Sequence, residues 1–150
     1  MTRTPLVTSL CVGLLVALSA CGDDPTFQLI FGIDASFQAP HGGKTPAHTI
    51  TVAVVRTSDG VTVETQTGTV SGTADPAFSF TSVGLLEEGE AYQVDYWIDS
   101  NFGGGTAGVC DPKANDHQWR VAIAAVTADV ALTELHNAAN TVEVCTTFAL

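Results

Sequence analysis

The sequence predicts an all-β domain, built as a two-sheet sandwich of about seven or eight strands. Short runs in which β-branched and aromatic residues alternate with polar ones predict half-buried strands. Turn-forming residues interrupt these runs about every ten positions, and one interruption carries the Asp-Gly pair that tight hairpins favour. The chain of 150 residues has the length of a single domain, and it shows no internal repeat.

The N-terminus carries the features of an export signal. Residues 6–18 form an apolar run behind Arg3, and this run is too short to span a bilayer as a helix. It ends in the sequence Leu-Ser-Ala-Cys-Gly at residues 18–22, which resembles the bacterial lipobox. The resemblance implies that residues 1–20 are removed and that Cys21 carries an anchoring lipid. An ordinary secretory signal is the alternative.

The lipobox resemblance also implies a location. Residues 21–26 are then a short polar tether, and residues 27–150 are the folded domain. An Asp directly after a lipidated cysteine favours retention in the inner membrane, whereas here Gly22 comes first and Asp23 second. We therefore expect the protein in the bacterial cell envelope, on the outer membrane, held stably by several acyl chains.

The chain without its signal is strongly acidic. Because Arg3 is lost, 4 of the 5 basic side chains remain against 16 acidic ones, which gives a net charge of −12. Such a chain repels phosphate groups, so a nucleic-acid partner is excluded. The charge either attracts cations or keeps an exposed domain soluble.

The cysteines predict one disulfide. Cys11 leaves with the signal and Cys21 takes the lipid, so Cys110 and Cys145 remain. Two remaining cysteines in an exported chain usually pair with each other. A metal site made from the two thiolates is the alternative.

Four strands are predicted in the first part of the domain from period-two alternation and β-branched composition. They are residues 27–37, 49–56, 61–70 and 78–83. The glycines and prolines of residues 40–46 predict a loop after the first strand. Asp59 and Gly60 predict a hairpin between the second and third strands.

A motif before the fifth strand carries a second resemblance. Leu86, Gly89 and Tyr92 resemble the tyrosine corner of immunoglobulin-like and fibronectin type III sandwiches, in which the tyrosine hydroxyl bonds to nearby backbone. The resemblance implies an immunoglobulin-like sandwich, and transthyretin-like sandwiches are the other small fold common among lipid-anchored bacterial proteins. The fifth strand follows, with one face formed by Tyr92, Val94, Tyr96 and Ile98 and the other by Gln93, Asp95, Trp97 and Asp99.

Residues 118–135 fit two patterns. Their apolar positions suit one face of a helix, yet residues 121–125 and 128–132 also alternate as strands do. We favour two short strands because the surrounding pattern is all-β. After a turn at residues 137–140, the alternation in residues 141–150 predicts a last strand that closes a sheet.

The segment between the fifth and sixth strands is a candidate calcium site. Asp99, Asn101 and Gly104 match positions one, three and six of a calcium-binding loop, but position twelve is Cys110, so an EF-hand is excluded. A looser oxygen site is the remaining interpretation, drawing on Asp99, Asn101, Asp111, Asn115 and Asp116. A solvated acidic loop without an ion is the simpler interpretation.

The same segment contains the glycine spacing of a dinucleotide-binding loop, at Gly103, Gly105 and Gly108. Asp111 and Pro112 follow where an apolar helix should begin. This context excludes a dinucleotide site and predicts a mobile hairpin loop.

Two histidines suggest a transition-metal site. His41 lies in the loop at residues 40–46, and His117 follows Asp116. Two imidazoles and a carboxylate hold zinc or copper if the two segments meet at one end of the sandwich. Nothing in the spacing requires them to meet, and ordinary loop histidines are the alternative.

The sequence predicts a binding or scaffolding module of the cell envelope without catalytic activity or a cofactor. It lacks the G-x-S-x-G motif of hydrolases and the H-E-x-x-H motif of zinc proteases. The expected partners are the membrane, through the lipid, and another envelope protein or a glycan, contacted by His41 and by Trp97 if that ring is exposed. The alternative is a calcium- or transition-metal-binding envelope protein that uses residues 99–116, with His41 and His117.

Overall fold

The computed structural model describes residues 25–72, 75–136 and 142–149. The predicted signal at residues 1–20, the lipidated Cys21 and the predicted turn at residues 137–140 lie outside these ranges. Among the described residues, no helix has the length and hydrophobicity needed to cross a membrane.

Seven strands form two sheets packed as a sandwich, which confirms the predicted fold class. The strands are β1 (Thr26–Ile33), β2 (Thr49–Arg56), β3 (Thr62–Thr69), β4 (Phe78–Glu87), β5 (Tyr92–Ile98), β6 (His117–Ile123) and β7 (Val130–Glu134). One sheet has the order β4-β1-β7, with β1 and β7 parallel, and the other has the order β3-β2-β5-β6, in which all pairs are antiparallel. The other described elements are a 3₁₀ turn, Ala35–Phe37, and two single-turn α-helices, α1 (Gln38–His41) and α2 (Cys145–Phe148).

The core lies between the sheets and follows the predicted alternation. Strand β5 points Tyr92, Val94, Tyr96 and Ile98 into it, as the sequence predicts. The most deeply buried of the other core residues are Leu29, Phe31, Ile33, Phe37, Ile50 and Leu86. The predicted hairpin is also confirmed, since β2 and β3 pair along their length and Gly60 in the turn has φ of 72°.

The tyrosine corner is present. The Tyr92 hydroxyl accepts a hydrogen bond from the backbone N–H of Glu87 at 2.9 Å, and Gly89 has φ of 80° in the turn between them. Leu86 is fully buried beside it. The corner fixes the crossing of the chain from β4 in one sheet to β5 in the other.

The ambiguous residues 118–135 form two strands, β6 and β7, as favoured by the all-β context. Strand β6 starts at His117, earlier than the alternation suggested, because residues 117–123 pair with β5 over its whole length. Strand β7 pairs with β1 in the sheet opposite to that of β6, so the connection from β6 to β7 crosses the sandwich.

The prediction that the first strand extends to Phe37 is wrong at its end. Strand β1 stops at Ile33, and Asp34 caps a 3₁₀ turn, Ala35–Phe37, by accepting the backbone N–H of Ser36 at 2.8 Å. A short carboxylate that bonds its own backbone competes with strand pairing, and this ends the strand. Phe37 is still a core residue because the turn points its ring inward.

The prediction of a last strand at residues 141–150 is also wrong. Residues 142–144 are not paired in a sheet, and residues Cys145–Phe148 form the helical turn α2. Side chains of the four-stranded sheet hold this segment on its outer face: Gln118 Oε1 accepts the Val144 N–H at 2.7 Å, and Thr147 Oγ1 donates to Asp95. The alternation reflects which side chains face that sheet and does not reflect strand pairing.

The predicted disulfide is confirmed. Cys110 and Cys145 are bonded, with Cα atoms 5.4 Å apart and a sequence separation of 35. The bridge ties α2 to the loop between β5 and β6.

Candidate functional site

One end of the sandwich, which we call the loop end, contains residues 34–48, 99–117 and 136. Strand register brings these segments together. Ile33, the last residue of β1, pairs with Glu134, the last residue of β7. Ile98, the last residue of β5, pairs with Ile50 near the start of β2 and with His117 at the start of β6.

All four histidines of the chain lie at the loop end. We call His41, His48, His117 and His136 the histidine cluster. The ring centroid of His41 lies 4.7 Å from that of His117, 5.5 Å from that of His48 and 5.6 Å from that of His136. The centroids of His117 and His136 are 6.3 Å apart. His41 is therefore the central ring of the cluster.

Each histidine is placed by a different element. His41 ends α1, His48 immediately precedes β2, His117 begins β6, and His136 follows β7. His41 is only 1% exposed, although the sequence suggested a loop residue, because the helical turn of α1 points its ring inward. The other three rings are half-buried.

The ring nitrogens divide into partnered and unpartnered ones. His41 Nδ1 lies 3.2 Å from His48 Nδ1, and His117 Nδ1 lies 3.0 Å from Ser100 Oγ. His41 Nε2 and His136 Nδ1 are buried and have no hydrogen-bond partner among the residues that the structure describes. Buried ring nitrogens without a partner are uncommon, because burial removes the water that would otherwise bind them.

Burial keeps the whole cluster uncharged at neutral pH. Burial and, to a smaller extent, charge on the neighbouring histidines together lower the pKa of His41 from 6.5 to about 3. Burial is also the largest cause that lowers the pKa of His48, His117 and His136. A neutral imidazole offers a lone pair, so each ring has the protonation state that a metal ligand or hydrogen-bond acceptor needs.

Aromatic rings surround the cluster. Trp119 stacks on His117 with a centroid separation of 5.8 Å and an interplanar angle of 15°. Phe37 packs edge-on against Trp119 at 5.4 Å and against His136 at 5.1 Å. Phe102 lies 4.4 Å from the His117 ring and is 54% exposed, so it covers the cluster on the solvent side.

The structure brings His41 and His117 together, the condition on which the sequence hypothesis of a transition-metal site depended. Sequence reasoning did not include His48 and His136 in that site. The signal that identifies them is positional: each lies at the end of a strand, but only the order of strands in both sheets shows that the ends meet. Among the described residues, no group of three or more His, Cys, Asp or Glu side chains is already arranged as a metal site.

The acidic segment, residues 99–116, is organised by Asp116. This carboxylate is fully buried and accepts backbone N–H groups of Ser100, Asn101 and Asp111 at 2.9 to 3.0 Å. Burial raises its pKa, while these hydrogen bonds act in the opposite direction. Asp116 therefore fixes the loop directly through backbone hydrogen bonds.

Asp99 and Asp111 also bond to backbone of the same loop, accepting the N–H groups of Gly108 and Thr106 respectively. Asn101 Nδ2 donates to Asp99 Oδ1, whereas Asn101 Oδ1 is buried without a partner within the described ranges. The structure thus brings together Asp99, Asn101, Asp111 and Asp116 in one hydrogen-bonded loop.

The glycines of this loop allow close packing. A Cβ at Gly103 would lie 2.2 Å from the Ala114 carbonyl oxygen, and one at Gly105 would lie 2.4 Å from Asn101 Oδ1 and from Asp111 Oδ2. Gly105 also has φ of 140°, which favours glycine. The predicted mobile hairpin is thus a loop with defined internal contacts.

A cleft of about 630 Å³ opens between the two loops that the sequence singled out. Lys44 and His48 line it from one side, and Asp99 and Asn101 from the other. His48 therefore borders both the cleft and the histidine cluster.

Trp97, predicted as a partner-binding residue if exposed, is only 5% exposed. Its ring lies on the outer face of the four-stranded sheet, where Phe148 of α2 packs against it edge-on at a centroid separation of 6.3 Å. It is thus covered by the C-terminal segment and not by the second sheet. It lines a groove of about 600 Å³ beside α2.

Comparison of the chain with protein-family models, with curated proteins and with solved structures gave no significant match. The site must therefore be interpreted from its own chemistry.

Proposed function

We propose that this protein is a lipid-anchored binding module of the bacterial cell envelope, without catalytic activity, that binds its partner at the loop end. The observation that carries the proposal is the convergence of residues 44–49 with residues 99–101 and 107–108 around one cleft on a rigid sandwich. Loops held by a rigid scaffold are the usual place for binding residues. The lipobox resemblance at residues 18–22 supports the anchor and the outer membrane as its location.

The chemistry of the cleft suits a polar partner. Lys44 supplies a cation on one side, while Asp99 and Asn101 supply oxygen atoms on the other. Phe102, the residue after Asn101 in the chain, adds an exposed ring at the same end of the sandwich. A protein loop or a glycan offers the matching hydroxyl, amide and apolar surface.

Labelling with a fatty-acid analogue tests the anchor. The full chain, expressed in a bacterium, is expected to incorporate the label and to sediment with membranes. A Cys21→Ser variant should lose both properties, whereas Cys11→Ser should keep them. Equal labelling of the Cys21→Ser variant would exclude the anchor.

Site-directed photocrosslinking in cells tests the binding face. A crosslinking amino acid at Phe102, which is 54% exposed at the loop end, is expected to form a discrete product. The matched control is Val83 on β4, which is 83% exposed but away from the loop end. Products from Val83 and none from Phe102 would place the binding face elsewhere.

Calcium binding by residues 99–116 is the second candidate function. The buried and unpartnered Asn101 Oδ1, beside the carboxylates of Asp99 and Asp111, favours it. Calcium added to chelator-treated protein should then raise the melting temperature, and Asp99→Asn should abolish the rise while the exposed Glu88→Gln variant keeps it. No rise in the unmodified protein would remove calcium as a ligand.

A further inference from the structure

We propose that the histidine cluster is a binding site for a first-row transition-metal ion, with His41, His117 and His136 as its ligands and His48 as a partner that orients His41. The inference goes beyond the proposed function, because binding of an ion here requires neither the anchor nor a partner. The site is separate from the acidic residues considered for calcium.

Ring spacing is the first argument. Imidazoles that share a tetrahedral zinc ion through bonds of about 2.0–2.1 Å have centroids roughly 5 Å apart. The three proposed ligands have centroid separations of 4.7, 5.6 and 6.3 Å. Their planes are inclined to one another by 75° to 81°, so the three rings are not stacked on one another.

The second argument comes from the ring nitrogens. His41 Nε2 and His136 Nδ1 are the buried histidine ring nitrogens without partners in the described part of the chain. His41 itself is 99% removed from solvent, since its exposure is 1%. A buried polar atom without a partner is costly, and a metal ion would satisfy it.

The third argument is the presence of orienting partners. Histidine ligands usually place their second ring nitrogen in a hydrogen bond, which fixes the tautomer and the ring orientation. His41 Nδ1 faces His48 Nδ1 at 3.2 Å, and His117 Nδ1 faces Ser100 Oγ at 3.0 Å. Both contacts leave the Nε2 atoms of His41 and His117 for the metal.

The donor set selects the class of ion. Three neutral imidazoles in an aromatic surrounding suit zinc, copper or nickel, whereas calcium and magnesium require oxygen ligands. The donor atoms have not converged on one point, so binding requires rotation of the rings. The imidazole χ2 torsion is broad, and such rotation needs no change of backbone. Phe102, exposed above His117, marks the route of entry.

Calorimetric titration of the full chain in detergent, after chelator treatment, is the experiment that tests the proposal, with Zn²⁺ as the first probe and Cu²⁺ and Ni²⁺ next. We expect one ion per chain. His41→Phe should abolish binding, because phenylalanine keeps the aromatic packing and removes the ligand. His48→Phe should weaken binding by about 10–100-fold, the range found when an orienting partner is lost. Glu88→Gln, at an exposed acid, should bind as the unmodified chain does.

A second measurement does not depend on any variant. Nitrogen NMR of the unmodified chain with labelled histidines is expected to show large zinc-dependent shifts at three rings, on Nε2 of His41 and His117 and on Nδ1 of His136. Absence of binding by all three ions would overturn the proposal. So would binding that leaves these three ring nitrogens unshifted, because the ion would then be held by the acidic residues.

Discussion

A single local turn determines where the His41 side chain lies. Its position between Pro40 and Gly42 suggests an exposed loop, yet the turn of α1 makes it the central ring of the histidine cluster. The pairing of His41 with His117 was foreseeable as a hypothesis, because both are histidines in polar segments. His48 and His136 were not, since the placement of their rings beside His41 depends on strand order in two sheets.

Buried histidines make the metal-free protein sensitive to acid. His41 has a pKa of about 3 when folded and about 6.5 when unfolded, so below pH 6.5 the unfolded chain binds a proton that the folded chain excludes. The free energy of unfolding should therefore fall as the pH drops from 6.5 toward 3, and the lowered pKa values of His48, His117 and His136 act in the same direction.

Urea unfolding in chelator at pH 7.5, 6.5 and 5.5 measures this dependence, above the range in which exposed carboxylates titrate. His41→Phe should show a shallower loss of stability between pH 6.5 and 5.5. The same slope in both proteins would show that His41 is not the group responsible.

The buried carboxylate of Asp116 allows a second prediction about the stability of a single-residue variant. Its two oxygens accept three backbone N–H groups, and an asparagine has only one oxygen to replace them. Asp116→Asn should lower the free energy of unfolding by about 1–3 kcal/mol, since one buried N–H would face the amide NH₂. Chemical denaturation provides the value, with Asp129→Asn as the control because Asp129 accepts one exposed backbone N–H. Equal losses in the two variants would contradict the assigned role.

At the scale of elements, alternation predicts strands well where the backbone pairs with a neighbouring strand. It identified the β2–β3 hairpin, β5 and the division of residues 118–135 into two strands. It failed at residues 34–37 and 142–148, where alternating side chains face a surface but the backbone bonds elsewhere. An Asp cap in the first case, and contacts with Gln118 and Asp95 in the second, outweighed the pattern.

The disulfide is the strongest of the attachments that hold α2. Replacing both Cys110 and Cys145 by serine should lower the free energy of unfolding by about 2–4 kcal/mol, the usual effect of opening such a loop. It should also expose Trp97, because Phe148 would no longer be held against it. Guanidinium unfolding and tryptophan fluorescence measure the two effects. A reductant should reproduce them in the unmodified chain and leave the serine variant unchanged.

At the scale of the molecule, the sandwich depends on contacts between distant parts of the sequence. Strand β1 is the middle strand of its sheet, and its neighbours are β4 and β7, which follow much later in the chain. A chain that ends after residue 126 lacks β7 and leaves one edge of β1 unpaired. Such a truncation should aggregate, because an open apolar strand edge pairs with other copies. Size-exclusion chromatography checks this, and a monomeric truncated protein would contradict it.

The same position of β1 governs when the domain is complete. Strand β1 is the first of the seven strands to be synthesised, and it must wait for β7 before its second edge is closed. Until that moment the three-stranded sheet of the growing chain is unfinished, and its long-range pairing cannot be completed. For a chain that is exported, as proposed above, this delay would be useful, since an unfinished domain passes a narrow channel more readily than a folded one.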